Sequence, residues 1–253
     1  MIYDKLPIVF LSTMASEQQG TTNSLIASYI LEHLDELKDT GIKDLANATH
    51  VGTGSISRFC REIGLRDFAE LKELIANTQL SFEHGGFSDI VTEYEKQVNN
   101  SISQVADTVS MDMVRQLCEE IRKYDKVAAF GLLKAGSVAM NLQVDLLMQG
   151  KQIYTNISYK EQLDYMLEAG KDDLIIIFSY TGSYFEYAKL RDKEQLLHKP
   201  RIWFIGAKQK SYPAFVNKVI SFDSHQDQAS HPYQLQFVEG LIAQCYGDMN
   251  NES

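Results

Sequence analysis

Cysteine is scarce: Cys60, Cys118 and Cys245 are the chain's three, and they lie far apart. They form no CxxC pair and no metal-ligand spacing. Nothing in that spacing points to a disulfide framework or a cysteine metal site, and reduced thiols in a cytoplasmic protein are the simplest expectation. A membrane-length apolar run is also missing. The amino-terminal LPIVFL is six residues long, too short for a span or a convincing signal peptide. It is expected to pack an amino-terminal segment against the first domain. Basic residues are in deficit, with 24 Lys and Arg against 34 Asp and Glu and a net charge of −10. That excludes a uniformly basic binder, so any attraction to a polyanion must be local. No internal repeat or low-complexity tract is present. What remains is ordinary globular composition, 44% hydrophobic and 23% charged over 253 residues, enough for one large domain or two smaller ones.

The most informative stretch runs from Ile42 to Lys72. Ile42, Leu45 and Ala46 give one apolar helical face, and Val51 stands at a break marked by Gly52 and Gly54. Ile56, Phe59, Cys60 and Ile63 then recur at helical spacing before Gly64 ends the second helix. Its other face carries Thr53, Ser55, Ser57, Arg58 and Arg61. A helix-turn-helix lays such a surface in the major groove of DNA. A solvated basic face would look the same by spacing alone. The charges are distributed in favour of DNA: from Thr53 to Arg66 the bases are Arg58, Arg61 and Arg66, against the single acid Glu62.

Val51 to Lys72, with Arg58-Phe59-Cys60, Gly64-Leu65, Phe68 and Leu71-Lys72, resembles the DNA-binding domain of RpiR/MurR-type transcriptional regulators. Gly52 and Gly54 stand where that family usually has Ser and a small helix former. Glycine inside a helix costs roughly 1 kcal/mol relative to alanine. Either the recognition helix frays at its start or Gly54 permits close backbone approach to a phosphate. The net acidity predicts weak binding by one copy. Two copies on a two-fold site, about one helical turn (~34 Å) apart, are the usual remedy.

Taken in order, residues 1–20 read as a lead-in. Thr22-Asn23-Ser24 offers caps for a helix built on Leu25, Ile26, Tyr29, Ile30 and Leu34. The paired glycines of 81–89 mark a linker. Helical spacing resumes from Asp89 to Tyr124, and the first helix there would bridge two domains or join a dimer. From Lys126 short apolar runs alternate with helical segments: KVAAFG, KQIYTN, DDLIIIFSY, PRIWFIG and NKVISFDS. That rhythm predicts a five-stranded parallel sheet covered on both faces, a three-layer α/β domain behind an all-α one. A last helix is expected from about His231 to Tyr246. The boundaries are 1–78 for the helix-turn-helix domain, 79–108 for linker and connecting helix, and 109–253 for the sheet domain.

In such sheets ligands bind beyond the carboxyl ends of strands, near the switch in strand order. Two loops qualify, Gly131 to Ser137 and Ser179 to Tyr184. The second is rich in hydroxyls and leads into a helix start, which favours an anion; a turn that merely caps its helix is the plain alternative.

From about Val114 onward the chain resembles the sugar isomerase (SIS) phosphosugar-binding domain that follows the helix-turn-helix in RpiR/MurR regulators. Ser179, Thr181 and Gly182 fit that family's Ser-x-Ser-Gly-x-Thr loop, with Ser183 where glutamate is frequent and Tyr184 in place of threonine. The first loop departs further from Gly-x-Gly-x-Ser. Leu133 stands at the second glycine, where it would be strained, and Ala135 stands at the serine; Gly136-Ser137 comes two residues late. Tyr184 is expected to be bulky at the pocket mouth, and Lys134 to offer a compensating charge or a solvated one. An altered or weakened effector site is the favoured reading.

No catalytic constellation emerges. Glu186, Glu239, His225 and His231 are candidate bases for isomerase chemistry, yet each reads more simply as a surface or packed group. No cofactor or metal is expected. The resulting expectation is a cytoplasmic regulator, not an enzyme, that binds a double-stranded DNA operator through Thr53, Ser55, Ser57, Arg58, Arg61 and Lys72. It is expected to control carbohydrate genes as a homodimer or homotetramer without touching membrane. A phosphosugar-like effector is expected at Lys134, Ser137, Ser179, Thr181, Gly182, Ser183 and Tyr184. The alternatives are an SIS sugar phosphate isomerase with an appended helical domain, and an effector-independent DNA-binding dimer.

Overall fold

Apolar residues at helical spacing through the first third of the chain close into a small bundle. The computed structural model describes residues 5–78, 88–185, 197, 199–225 and 230–251. The bundle comprises α1 (Lys5–Ser16), α2 (Thr22–Glu32), a 3-10 turn (Glu36–Asp39), α3 (Ile42–Ala48), α4 (Thr53–Glu62) and α5 (Phe68–Asn77). The expected lead-in is thus largely a helix. α1 buries Val9 and Phe10, and the Phe10 ring centroid lies 5.6 Å from that of Phe59. α2 is capped one residue earlier than the Thr22–Ser24 reading, by Thr21, whose hydroxyl accepts the Ser24 N–H at 3.3 Å.

The reversals at both ends of the helix-turn-helix have one geometry. After α3, Val51 N–H donates to the Ala46 carbonyl at 2.9 Å and His50 N–H to Asn47 at 3.2 Å. After α4, Leu65 N–H donates to Cys60 at 2.8 Å and Gly64 N–H to Arg61 at 3.2 Å. Paired bonds of this kind need a left-handed residue at the reversal. Gly64, at φ 90°, meets that need as the sequence suggested, whereas in the first turn His50 does so at φ 54°. Gly52 is instead the extended N-cap residue of α4, and Gly54 lies in its first turn. Gly64→Ala puts a Cβ in the left-handed region and should cost about 1 kcal/mol. The check is a lower urea midpoint at unchanged slope; His50→Gly should shift it the other way.

After the linker of 81–89, of which 81–87 lie outside the described residues, come α6 (Ile90–Thr108) and α7 (Met111–Lys123). The α/β part then alternates β1 (Lys126–Phe130), α8 (Lys134–Met148), α9 (Tyr159–Glu168), β2 (Asp173–Phe178), a 3-10 turn (Ser183–Phe185), β3 (Arg201–Ala207), β4 (Lys218–Phe222) and α10 (His231–Asn251). Among the described residues the sheet has four strands, all parallel, in the order β1-β2-β3-β4. The fifth expected strand, KQIYTN, is reduced to one bridge. Tyr154 N–H donates to Val127 and Ala129 N–H to Tyr154, each at 2.8 Å. The segment therefore sits on the far side of β1 from β2, so the strand order switches at β1.

Alternation along the strands sends the two side-chain sets to opposite faces. Ala128, Phe130, Ile175, Ile177, Ile202 and Phe204 pack with α9 and, through it, with the amino-terminal bundle. Val127, Ala129, Leu174, Ile176, Phe178, Trp203 and Ile205 pack with α7, α8 and α10. Helices thus pack on both faces of the sheet, with α1 set against α9: Ser12 Oγ donates to the Ile157 carbonyl at 3.0 Å.

One carboxyl is buried between α10 and α8. Glu239 is 1% exposed; its burial, then the charge of Asp145 beside it, push its pKa up to about 8. Gln236 donates to its Oε2. Because the folded value lies above the ordinary 4.5, the folded chain keeps a proton that the unfolded chain has lost between those values. Stability is therefore lost as pH rises from about 4.5 to about 8 and levels off above. Glu239→Gln should flatten that slope in thermal melts across the same window.

Candidate functional site

α4 is built as two faces. Ile56, Phe59 and Cys60 are fully buried, and burial, with the nearby Asp67 adding, pushes the Cys60 thiol up to about 12 and makes it unreactive. On the opposite side Thr53, Gly54, Arg58 and Arg61 are exposed and Ser55 and Ser57 half-buried. Ser57 Oγ donates back to the Thr53 carbonyl at 3.1 Å. Arg58 Nε lies 3.4 Å from Glu62 Oε1, with 65% of the arginine side chain exposed. Glu62 also accepts from Asn23 Nδ2 at 2.7 Å. A single-contact surface pair of this kind is worth little, so Arg58 can exchange it for another anion. A Cβ added at Gly52 or Gly54 would meet nothing within 4 Å; the protein itself demands glycine at neither position. Lys72, grouped with these residues by sequence, sits on α5 and is half-buried.

The two strand-end loops meet tighter constraints. Gly131 closes β1 against the first turn of α8, where a Cβ would come within 2.6 Å of the Ala135 carbonyl. Leu133, the N-cap residue of α8, takes φ 50° and ψ −113°. The glycine-type conformation is therefore kept at this position, with leucine bearing it. Such strain costs on the order of 1–3 kcal/mol, so Leu133→Gly should raise the melting temperature despite the roughly 0.5–1 kcal/mol entropic cost of glycine. Lys134 and Ser137 are exposed in the first turn of α8, and Ser137 Oγ donates back to the Leu133 carbonyl at 3.4 Å.

The second loop is held by β3. Ser179 N–H donates to Ile205 at 3.0 Å, and Ala207 N–H to Tyr180 at 3.1 Å. The approach is close enough that a Cβ on Gly206 would meet the Ser179 carbonyl at 2.1 Å. Gln209 Nε2 donates to the Ala207 carbonyl at 2.7 Å and to the Tyr180 carbonyl at 3.3 Å. Gly182 turns the chain at φ 77°. Within the turn, Thr181 Oγ1 donates to Ser183 Oγ at 3.0 Å and accepts the Ser183 N–H at 3.5 Å, and Ser179 Oγ accepts the Tyr184 N–H at 3.4 Å.

Tyr184 does not stand at a pocket mouth: it is 1% exposed and turned inward. Its ring packs edge-on to Tyr159 at 5.7 Å, and its hydroxyl donates to Gln162 Oε1 at 2.9 Å. Gln162 Nε2 in turn donates to the carbonyls of Gly131 at 2.8 Å and Asn156 at 2.6 Å. Gln162, Gly206 and Gln209 were not singled out from the sequence. The one available signal was a glutamine on the apolar face of α9, among Tyr159, Leu163 and Met166.

Glu186 lies outside the described residues. His225 is exposed, and His231 is buried at the start of α10 with its ring 5.0 Å from that of Tyr180. Among the described residues no cluster of three or more His, Cys, Asp or Glu could hold a metal ion, and no helix is long and apolar enough to cross a membrane.

Comparison with known proteins agrees with this layout. Residues 10–80 match the helix-turn-helix domain of the rpiR family. An HTH-type transcriptional regulator of Caldanaerobacter subterraneus subsp. tengcongensis is 30% identical over 173 residues, covering 62% of this chain and 59% of the relative. Five such sequence relatives are HTH-type transcriptional regulators, and the matches span 58–65% of their lengths. The Vibrio vulnificus NanR protein, solved with ManNAc-6P, superposes with a TM-score of 0.51 at 16% identity, covering 98% of this chain and 96% of that one. The sugar isomerase domain of an RpiR transcription factor from Sphaerobacter thermophilus gives a TM-score of 0.51 at 18% identity over 64% of this chain and 92% of that one. At these identities the structural matches establish the fold alone.

Proposed function

We propose that this chain, which matches RpiR-family helix-turn-helix regulators with a sugar isomerase-like carboxy-terminal domain, is a transcriptional regulator that binds an operator in double-stranded DNA and controls carbohydrate genes. The observation that carries the proposal is the outer face of α4. Arg58 and Arg61 are exposed on a helix whose other side is locked into the core by Ile56 and Phe59. A rigid helix with small hydroxyls and guanidinium groups along one side suits base edges and phosphates in a major groove. Thr53, Ser55 and Ser57 are the neighbouring contacts in this reading, with Lys72 of α5 supporting them at the backbone.

The chain is proposed to work in the cytoplasm as a dimer or tetramer, because a molecule of net charge −10 gains by placing two such helices on one duplex. The proposed division is 1–78 for DNA binding, 79–108 for the connection and 109–253 for effector binding and association. The effector region comprises the two strand-end loops, with a phosphosugar-like ligand reaching Lys134, Ser137, Ser179, Thr181, Gly182 and Ser183. Of the candidate bases for isomerase chemistry, Glu239 is enclosed between α10 and α8, away from these loops. Selection of bound duplexes from a random library tests the proposal. Inverted half-sites about one helical turn apart are expected; no enrichment over the starting pool would refute it.

A further inference from the structure

We propose that Tyr184 and Gln162 form an internal latch that holds the serine-rich loop shut, so that the resting protein takes a phosphate monoester there only after the latch has opened. The inference rests on reading residues 179–184 as the effector loop, and it names what controls entry to that loop.

The latch is visible as a chain of bonds across the switch point. From the second loop, the Tyr184 hydroxyl reaches Gln162 on α9 at 2.9 Å. From Gln162, the side-chain amide reaches the end of β1 at Gly131 (2.8 Å) and the Tyr154 segment at Asn156 (2.6 Å). Three chain segments that end around the crevice are thus tied through one glutamine that is itself fully buried. Asn156 and Gly131 supply carbonyls only, so Gln162 is fixed with its amide N–H groups toward them. Its single oxygen is then left to accept from the phenol. Burial keeps that phenol protonated and able to donate.

The same turn shows why the closed state excludes an anion. A phosphate held by this loop would draw on the hydroxyls of Ser179 and Thr181 and on the N–H groups of Ser183 and Tyr184. Those groups already satisfy one another: Tyr184 N–H on Ser179 Oγ, and Ser183 N–H on Thr181 Oγ1. Opening the loop therefore means giving up these bonds together with the Tyr184–Gln162 bond and the packing of the ring on Tyr159 and Phe185. Apparent affinity falls in proportion to the fraction of molecules already open. Threonine at 184, the residue of the resembled family's loop, has neither the ring nor the reach to Gln162.

The latch also touches the DNA-binding half. α9 carries Gln162, and the segment leading into α9 accepts the Ser12 hydroxyl of α1 at Ile157. α1 in turn packs Phe10 on Phe59 of α4. Movement of α9 on opening would therefore be felt at the base of the recognition helix.

The test is calorimetric titration of the full chain with inorganic phosphate and with fructose 6-phosphate, in the wild type and in Tyr184→Thr. We expect no binding tighter than about 10 mM in the wild type and binding at about 1 mM or better in the variant, a gain of at least tenfold. Comparable affinity in both, or a folded Tyr184→Thr that binds neither probe, overturns the proposal. Tyr184→Phe keeps the ring, deletes the hydroxyl and leaves Gln162 Oε1 unpartnered, which covers the case in which Tyr184→Thr does not fold. Amide hydrogen exchange at 179–185 should then be about tenfold faster than in the wild type; unchanged exchange overturns the latch. Operator binding by Tyr184→Phe is measured alongside, so that loss of the latch is distinguished from failure of the DNA-binding reading.

Discussion

Replacing Arg58 and Arg61 together by alanine should weaken operator binding by roughly thirtyfold or more while leaving the melting temperature in place. Each well-placed contact from such a side chain discriminates by about 1–3 kcal/mol, and two add to about one and a half decades in affinity or more. Both residues are exposed, and the one ion pair they give up among the described residues, Arg58 with Glu62, is a surface contact at 3.4 Å. Surface changes of this kind usually alter stability by no more than about 0.5 kcal/mol. The slope of log affinity against log salt should also fall by about 0.9 for each arginine that sits on a phosphate. A gel-shift series over salt reads both quantities. Affinity within threefold of the parent would remove α4 from the interface.

Phe59→Ala should do the opposite, costing stability first and DNA binding only as a consequence. The ring is fully buried against Phe10, in the cluster that joins the bundle to the sheet through α9. Deleting a buried phenylalanine ring costs about 3–5 kcal/mol, a large share of the roughly 5–15 kcal/mol that holds a domain folded. Circular dichroism in a urea series should show the midpoint fall steeply. A loss below about 1 kcal/mol would contradict the placement of Phe59 in the core. The two variants separate contact from scaffold, since the arginine pair loses DNA at unchanged stability and only Phe59→Ala loses stability.

Much of this was readable from residue order. The alternation of Ile56, Phe59 and Cys60 with Ser57, Arg58 and Arg61 predicts both faces of α4, because a 3.6-residue period leaves those residues no other arrangement. Gly64 is legible because the reversal after α4 favours a residue without a Cβ. His50 is not, since nothing in a histidine signals a left-handed backbone and the nearby glycines draw attention away from it. KQIYTN has the composition of a strand, but only Tyr154 pairs with β1, and pairing extent depends on the neighbour rather than on the segment.

At the strand ends the sequence identifies which residues depart from the expected loop but not where they point. Leu133 keeps the glycine-type backbone at a cost in strain. Tyr184 turns inward because a hydrogen-bond acceptor and an aromatic partner wait there, on α9. Both partners are about twenty residues away in sequence and come together only through the fold.

The central claim is that the outer face of α4 enters DNA, in two copies per site. It is tested most directly by attaching an iron chelate to Thr53→Cys and mapping where a selected duplex is cut, with Asp107→Cys near the end of α6, outside the helix-turn-helix, as the control. Two groups of cuts about one helical turn apart from the probe at 53, and none from the probe at 107, are predicted. Cutting from residue 107 but not from residue 53, while the protein still retards the duplex, would contradict it.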